Sequence, residues 1–143
     1  KENAAAIIAG ISVGTLVSLG SALALAVAMG LTREQYVTLL PKSVTTAISM
    51  DVAAELGGIA ALTGAIVILT GIAGNLLAET VCKVFHITDP IAKGVGIGTS
   101  AHAVGTSKAL QMGEVEGAMS GLSIAVAGVL TAVLCPIFVN FIG

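Results

Sequence analysis

A proline, a cation and three hydroxyls fall within six residues, Pro41-Lys42-Ser43-Val44-Thr45-Thr46, of an otherwise apolar chain. Proline has no amide hydrogen and disfavours helix in the residue before it, so a helix arriving through Val37-Thr38-Leu39-Leu40 stops or breaks at Pro41. Ala47 to Leu56 is helix-compatible again, and Gly57-Gly58 is a stop signal. Ser43, Thr45 or Thr46 is positioned to cap this second helix, whose N-terminus offers free amide hydrogens and about half a positive charge. Beside Lys42 that chemistry is anion binding, with the ammonium and the hydroxyls of Ser43, Thr45 and Thr46 as the donors. The plainer alternative is an interfacial loop with Lys42 snorkelling to lipid headgroups.

A second group lies in the stretch GVGIGTSAHAVGTS, Gly94 to Ser107, which has few large side chains and one histidine. Helical spacing puts Gly94, Gly98, His102 and Thr106 on one face, with Ala101, Gly105 and Ala109 adjacent, so His102 is expected to face close packing or a cavity. A lone histidine is more often a satisfied core residue than a functional one. Ionisable side chains at membrane depth, however, tend to mark substrate or proton paths, and histidine changes charge near neutral pH. His102 and Thr106 therefore join the candidate substrate site. A proton on His102 and a bound anion would favour each other, which is the linkage a symporter needs. His102, Lys108, Asp51 and Glu114 are the candidates for proton coupling or ion pairing. Glu114 and Glu116 are placed either to pair with Lys108 or to lie in a solvated loop before the last apolar run.

The elements that must position these groups are membrane helices. Of the 143 residues 56% are hydrophobic and 10% charged, with a mean hydropathy of +1.05, against about 25% charged in soluble domains. Asn3 to Thr32, Leu56 to Ala78 and Gly117 to Gly143 carry no charge. Each exceeds the ~20 residues that a helix needs to cross a ~30 Å hydrocarbon core. A lipid bilayer is thus the first partner. The helix around Lys42 is too short to span, and unpaired backbone groups at membrane depth are tolerated only inside protein or a hydrated cavity.

Finer signals accompany these runs. Gly10, Gly14, Ser18, Ala22, Ala26 and Gly30 form a small-residue ridge at four-residue spacing; Gly117 and Gly121, continued by Ala125, open the last span, and Gly128 and Ala132 give a second small pair there. Thr32-Arg33-Glu34-Gln35 fits a capping box. A spanning helix is read from Gly57 to Val84, and Asp89-Pro90 starts the next element. Pro136 falls near the end of the last span. The predicted fold is all-α: three long transmembrane helices and two polar, discontinuous or re-entrant elements around Lys42 and His102. That is the pattern of one half of an inverted-repeat transporter. Only one PKSVTT-like break is visible, so a second copy is expected upstream of Lys1 or in a partner subunit.

Other classes are excluded or disfavoured. A net charge of −2 with no basic stripe gives nothing for nucleic acid. Cys82 and Cys135 belong to no CxxC or Cys/His cluster, so no metal, cofactor or enzyme chemistry is expected. Lys and Arg are too evenly spread along the sequence to decide sidedness.

PKSVTTAISM, ELGGIAALTG, GIGTSAHAVGTSKALQMGEVEGAMSGL and GVLTAVLCPI resemble the C-terminal part of the LrgB/CidB, or antiholin-like, membrane proteins, over nearly the whole chain. The resemblance implies a single membrane domain over residues 1–143 in a bacterial inner-membrane protein, working with a small LrgA/CidA-type membrane partner. The family was first described as controlling murein hydrolase export and lysis. Plastid relatives export glycolate and glycerate, and bacterial members are linked to pyruvate uptake. Two departures stand out: Ala47 replaces a usual proline, and the family's N-terminal repeat is not in this chain. Two functions compete, a carrier for small 2-hydroxy or 2-oxo acids and a holin-like pore component or regulator acting through homo-oligomerisation.

Overall fold

The computed structural model describes residues 2–141; Lys1, Ile142 and Gly143 lie outside it. The described residues form helices only: α1 (Glu2–Met29), α2 (Arg33–Leu39), α3 (Thr46–Glu55), α4 (Ala60–Val84), α5 (Pro90–Met112), α6 (Glu114–Phe138) and a closing 3₁₀ turn, Val139–Phe141. Three runs are long and apolar enough to cross a membrane: Ala4–Met29, Ala60–Val84 and Glu114–Phe141. Polarity is arranged for a bilayer. Thr15, Thr38, Ser49, Thr63, His102, Ser120, Ser123 and Thr131 are buried, while Val17, Leu69, Leu76, Val129 and Val133 are largely exposed. In water such an apolar surface would drive association; in lipid it is the favourable face. The chain is a multi-pass membrane protein.

Between the spans the chain makes two helical hairpins that enter from opposite ends. The first is α2 and α3. Its base is fixed at the end where α1 stops and α4 begins: Thr32 and Gln35 form the capping box, the Ile59 amide donates to Thr38 Oγ1, and Thr63 Oγ1 donates to the Thr38 carbonyl. The Tyr36 hydroxyl donates to the Phe138 carbonyl, so α6 ends there too. Leu19, Ala22, Ala26, Tyr36, Val37, Leu40, Val52, Cys135 and Val139 fill the core at that end.

The second hairpin is α5 itself. His102 has φ 42° and ψ −140°, outside the helical region, and the chain reverses there. Ile97 of its descending arm and Ala109 of its ascending arm belong to one buried cluster with Ala78 of α4. A Cβ on Gly105 would lie 3.0 Å from Ile97 Cγ2, a proximity that a continuous helix forbids. Both arms start and end beside the C-terminal end of α4, since the cleft there is lined by Lys93 of one arm and Met112 of the other. The chain therefore runs span, hairpin, span, hairpin, span, with the two hairpins inverted relative to each other. A second break thus lies within this chain, with no PKSVTT-like sequence.

Several sequence expectations are corrected at this level. Glu114 and Glu116 are not in a loop; both belong to the first turn of α6, with Glu114 exposed and Glu116 buried. In α6 the buried face is Ser120, Ser123, Ala127, Gly128, Thr131 and Cys135, while Gly121, Ala125 and Ala132 are exposed. On α1 the ridge does pack, with Gly10 against Val95 and Gly14 against Thr99, but Gly30 lies in the turn beyond the helix with only open space around it.

Candidate functional site

The tips of the two hairpins meet in the interior. Pro41 ends the first arm as its missing amide requires, and the freed carbonyls are recovered by one side chain: Ser49 Oγ lies 2.7 Å from the Pro41 oxygen and 3.3 Å from that of Val44. Ser49 is wholly buried. The cap of α3 differs from expectation. Thr45 occupies the N-cap position, yet no side chain caps the helix, and Thr46 opens it with its methyl towards Gly64.

At this tip Lys42 Nζ donates to Ser18 Oγ and to Ser43 Oγ, each at 3.3 Å, and Ser18 donates to Ser43 Oγ at 2.7 Å. Lys42 is half-buried and Ser43 buried. No carboxylate lies within ion-pair distance of Lys42 among the described residues. Its hydrogen-bond partners among the described residues are the Ser18 and Ser43 hydroxyls. Thr99, three residues before the second tip, reaches the same place. It lines one narrow void with Thr15, Ser18, Ser43 and Thr131, and the void has no room for a water molecule. Gly14 makes this approach possible, because a Cβ there would stand 2.7 Å from Thr99 Oγ1. Ser18, on the ridge of α1, and Thr15, beside it, line this void with Thr99 and Thr131. The signal available for Ser18 was its place in that ridge.

His102 does not share the face of Gly94, Gly98 and Thr106. Those three pack on α6: a Cβ on Gly98 would lie 2.5 Å from the Ser120 carbonyl, and Thr106 Oγ1 lies 2.7 Å from Ser120 Oγ. The reversal at His102 turns its ring to α4 instead, where Nε2 is 2.9 Å from the Val67 carbonyl. A carbonyl only accepts, so Nε2 carries a hydrogen. Thr106 Oγ1 donates to the His102 carbonyl at 2.9 Å, closing the tip on itself. A non-glycine residue at this φ costs about 1–3 kcal/mol and persists where its surroundings hold it. No hydrogen bond joins His102 to Lys42 among the described residues; Thr99 is the link between the tips.

Lys108 pairs with neither Glu114 nor Glu116. Its Nζ is 2.6 Å from Glu79 Oε1 on α4, and Lys83 approaches the same carboxylate at 3.7 Å. Glu79 was missed because its partner lies far along the sequence on another helix. Asp51 is exposed on α3 and Glu114 exposed at the start of α6, both away from the tips.

The LrgB-like family model matches residues 1–141. Antiholin-like protein LrgB of Bacillus mycoides (strain KBAB4), of Bacillus cereus (strain B4264) and of Bacillus anthracis (strain CDC 684 / NRRL 3495) are each 38% identical to this chain over 137 residues, covering 96% of it. The chain spans 60% of the length of these relatives. No solved structure matches. On the extent of the family match and of this identity, the chain belongs to the LrgB-like family.

Proposed function

We propose that the two hairpin tips form the substrate site of a carrier for small carboxylates of the pyruvate, glycolate or glycerate type. The observation that supports it is the unpaired Lys42 ammonium held among Ser18 and Ser43 hydroxyls where two helix breaks from opposite ends meet. Inverted discontinuous helices with a charged group between them suit alternating access, in which one tip and then the other yields. The void between them admits no water in this arrangement, so a substrate requires one hairpin to move. In the same reading Thr45, Thr46 and Thr106 lie within reach of a bound carboxylate once a tip opens, and His102 carries the coupled proton. The carrier works in the bacterial inner membrane, as a homo-oligomer or with an LrgA-type partner, and performs no enzymatic step.

The second reading is antiholin-like control of murein hydrolase export and lysis. The relatives' printed name favours it, and on the comparisons alone it is the better supported of the two. The geometry favours the first, because oligomerisation gives Lys42 and the buried hydroxyls no task. Uptake of radiolabelled pyruvate or glycolate into vesicles separates them. Saturable, competable uptake supports the carrier; leakage of unrelated solutes, or no flux at all, overturns it.

A further inference from the structure

We propose that the side of α4 facing the first arm of the α5 hairpin binds an anionic phospholipid. Where α4 ends and both arms of the hairpin begin and end, a cleft of about 560 Å³ opens, lined by Lys83, Lys93, His86, Thr88, Gln111 and Glu79. Three ammonium groups gather around it, because Lys108 reaches Glu79 from the second arm. Glu79 is the one carboxylate on the cleft, and it is shared by Lys108 and Lys83. Asp89 is turned away: it accepts from the Ala92 amide at 2.8 Å and lines the groove beside α1. Glu114 lines neither. The cleft thus carries surplus positive charge in a chain whose net charge is −2.

The level is that of lipid headgroups. Lys83 is in the last turn of an apolar span, with its side chain 80% exposed, and Val84 and Phe85 beside it are exposed as well. Lysines and aromatics at span ends sit at the interface with their charge among the phosphates. From the cleft a second, apolar groove of about 350 Å³ runs between α4 and the first arm towards the tip. Leu77, Ala78, Val81, Gly96 and Ile97 form its walls, and Cys82, Ile87 and Lys93 line both spaces. A cationic cleft continuous with an apolar trough has the polarity of one molecule, a phosphate head with an acyl chain. A free carboxylate would fill the cleft and leave the trough bare. A partner helix would fill the trough and leave the surplus positive charge of Lys93 and Lys83 unbalanced. Basic pockets between membrane helices take anionic headgroups in preference to zwitterionic ones, which bring their own cation.

The test uses the whole chain in nanodiscs of dioleoylphosphatidylcholine with increasing dioleoylphosphatidylglycerol, the retained lipids being counted by native mass spectrometry. Selective retention of phosphatidylglycerol is expected, weakened about fivefold per lysine in K83Q/K93Q and preserved in K83R/K93R. Gly96, around which there is open space, provides the independent variant: Gly96→Leu fills the trough and weakens phosphatidylglycerol retention without moving the thermal transition. Equal retention of the two lipids, or undiminished selectivity in K83Q/K93Q, overturns the proposal. So does displacement of the lipid by millimolar glycerol 3-phosphate or pyruvate equally from wild type and Gly96→Leu, which assigns the cleft to a soluble anion.

Discussion

Lys42 and Ser49 divide the work of the first break, one offering charge and the other holding the backbone. Removing the ammonium in Lys42→Ala is expected to lower carboxylate uptake at least tenfold, with expression and insertion unchanged; normal uptake would take Lys42 out of the site. Lys42→Arg is expected to substitute poorly, since a planar fork does not replace a compact ammonium between two hydroxyls. Ser49→Ala removes the donor that serves both Pro41 and Val44. It is expected to lower stability by about 1–3 kcal/mol in a detergent unfolding titration, the cost of stranded buried acceptors. His102→Gln keeps a donor for the Val67 carbonyl but cannot titrate. If His102 carries the proton, the variant retains substrate exchange and loses acceleration by an inward proton gradient. Full pH dependence in that variant would make His102 a packing residue.

At the level of elements, the second hairpin depends on how closely its tip fits α4. A Cβ at Gly71 would lie 2.7 Å from His102 Cε1 and 3.0 Å from Nε2. Gly71→Ala is expected to dislodge the ring, lower the thermal transition and reduce uptake; an unchanged transition with normal uptake would show the tip to be loosely held. The same hairpin marks the limit of what the sequence reveals. Proline announces a break because its chemistry is local, so the first tip could be read at Pro41, and charge-free runs announce spans by length alone. His102 announces less. Its neighbours are glycine, alanine and small hydroxyls that a continuous helix also accommodates, so four-residue spacing assigns it to the face of Gly98 and Thr106. The reversal shows only in the fold, in the His102 backbone and the approach of Gly105 to Ile97. The Lys108 pair was hidden for a related reason, since no local rule links a side chain on α5 to Glu79 on α4.

For the molecule as a whole, the fold sorts charges that look evenly spread along the sequence. Lys83, Lys93 and Lys108 collect at the end where α4 stops, while Arg33 stands at the other end and Lys42 at the internal tip. By the positive-inside bias the three-lysine end is expected to face the cytoplasm. A cysteine at exposed Phe85 is then expected to react with a membrane-impermeant maleimide only after cells are opened, and one at exposed Glu55 in intact cells. The reverse pattern would invert the assignment. Cys82 and Cys135 are buried and give little background. The inverted hairpins also set an order of construction. Gly94, Gly98 and Thr106 of the second hairpin lean on α6, and so do Tyr36 and Ile48 of the first. α6 leaves the ribosome after both hairpins. Neither tip can be finished before α6 is made, and the break at Pro41 must wait in the membrane for a partner synthesised later. A nascent chain halted before α6 would therefore be inserted yet lack the site, and exposed to whichever protease or chaperone surveys half-built membrane proteins.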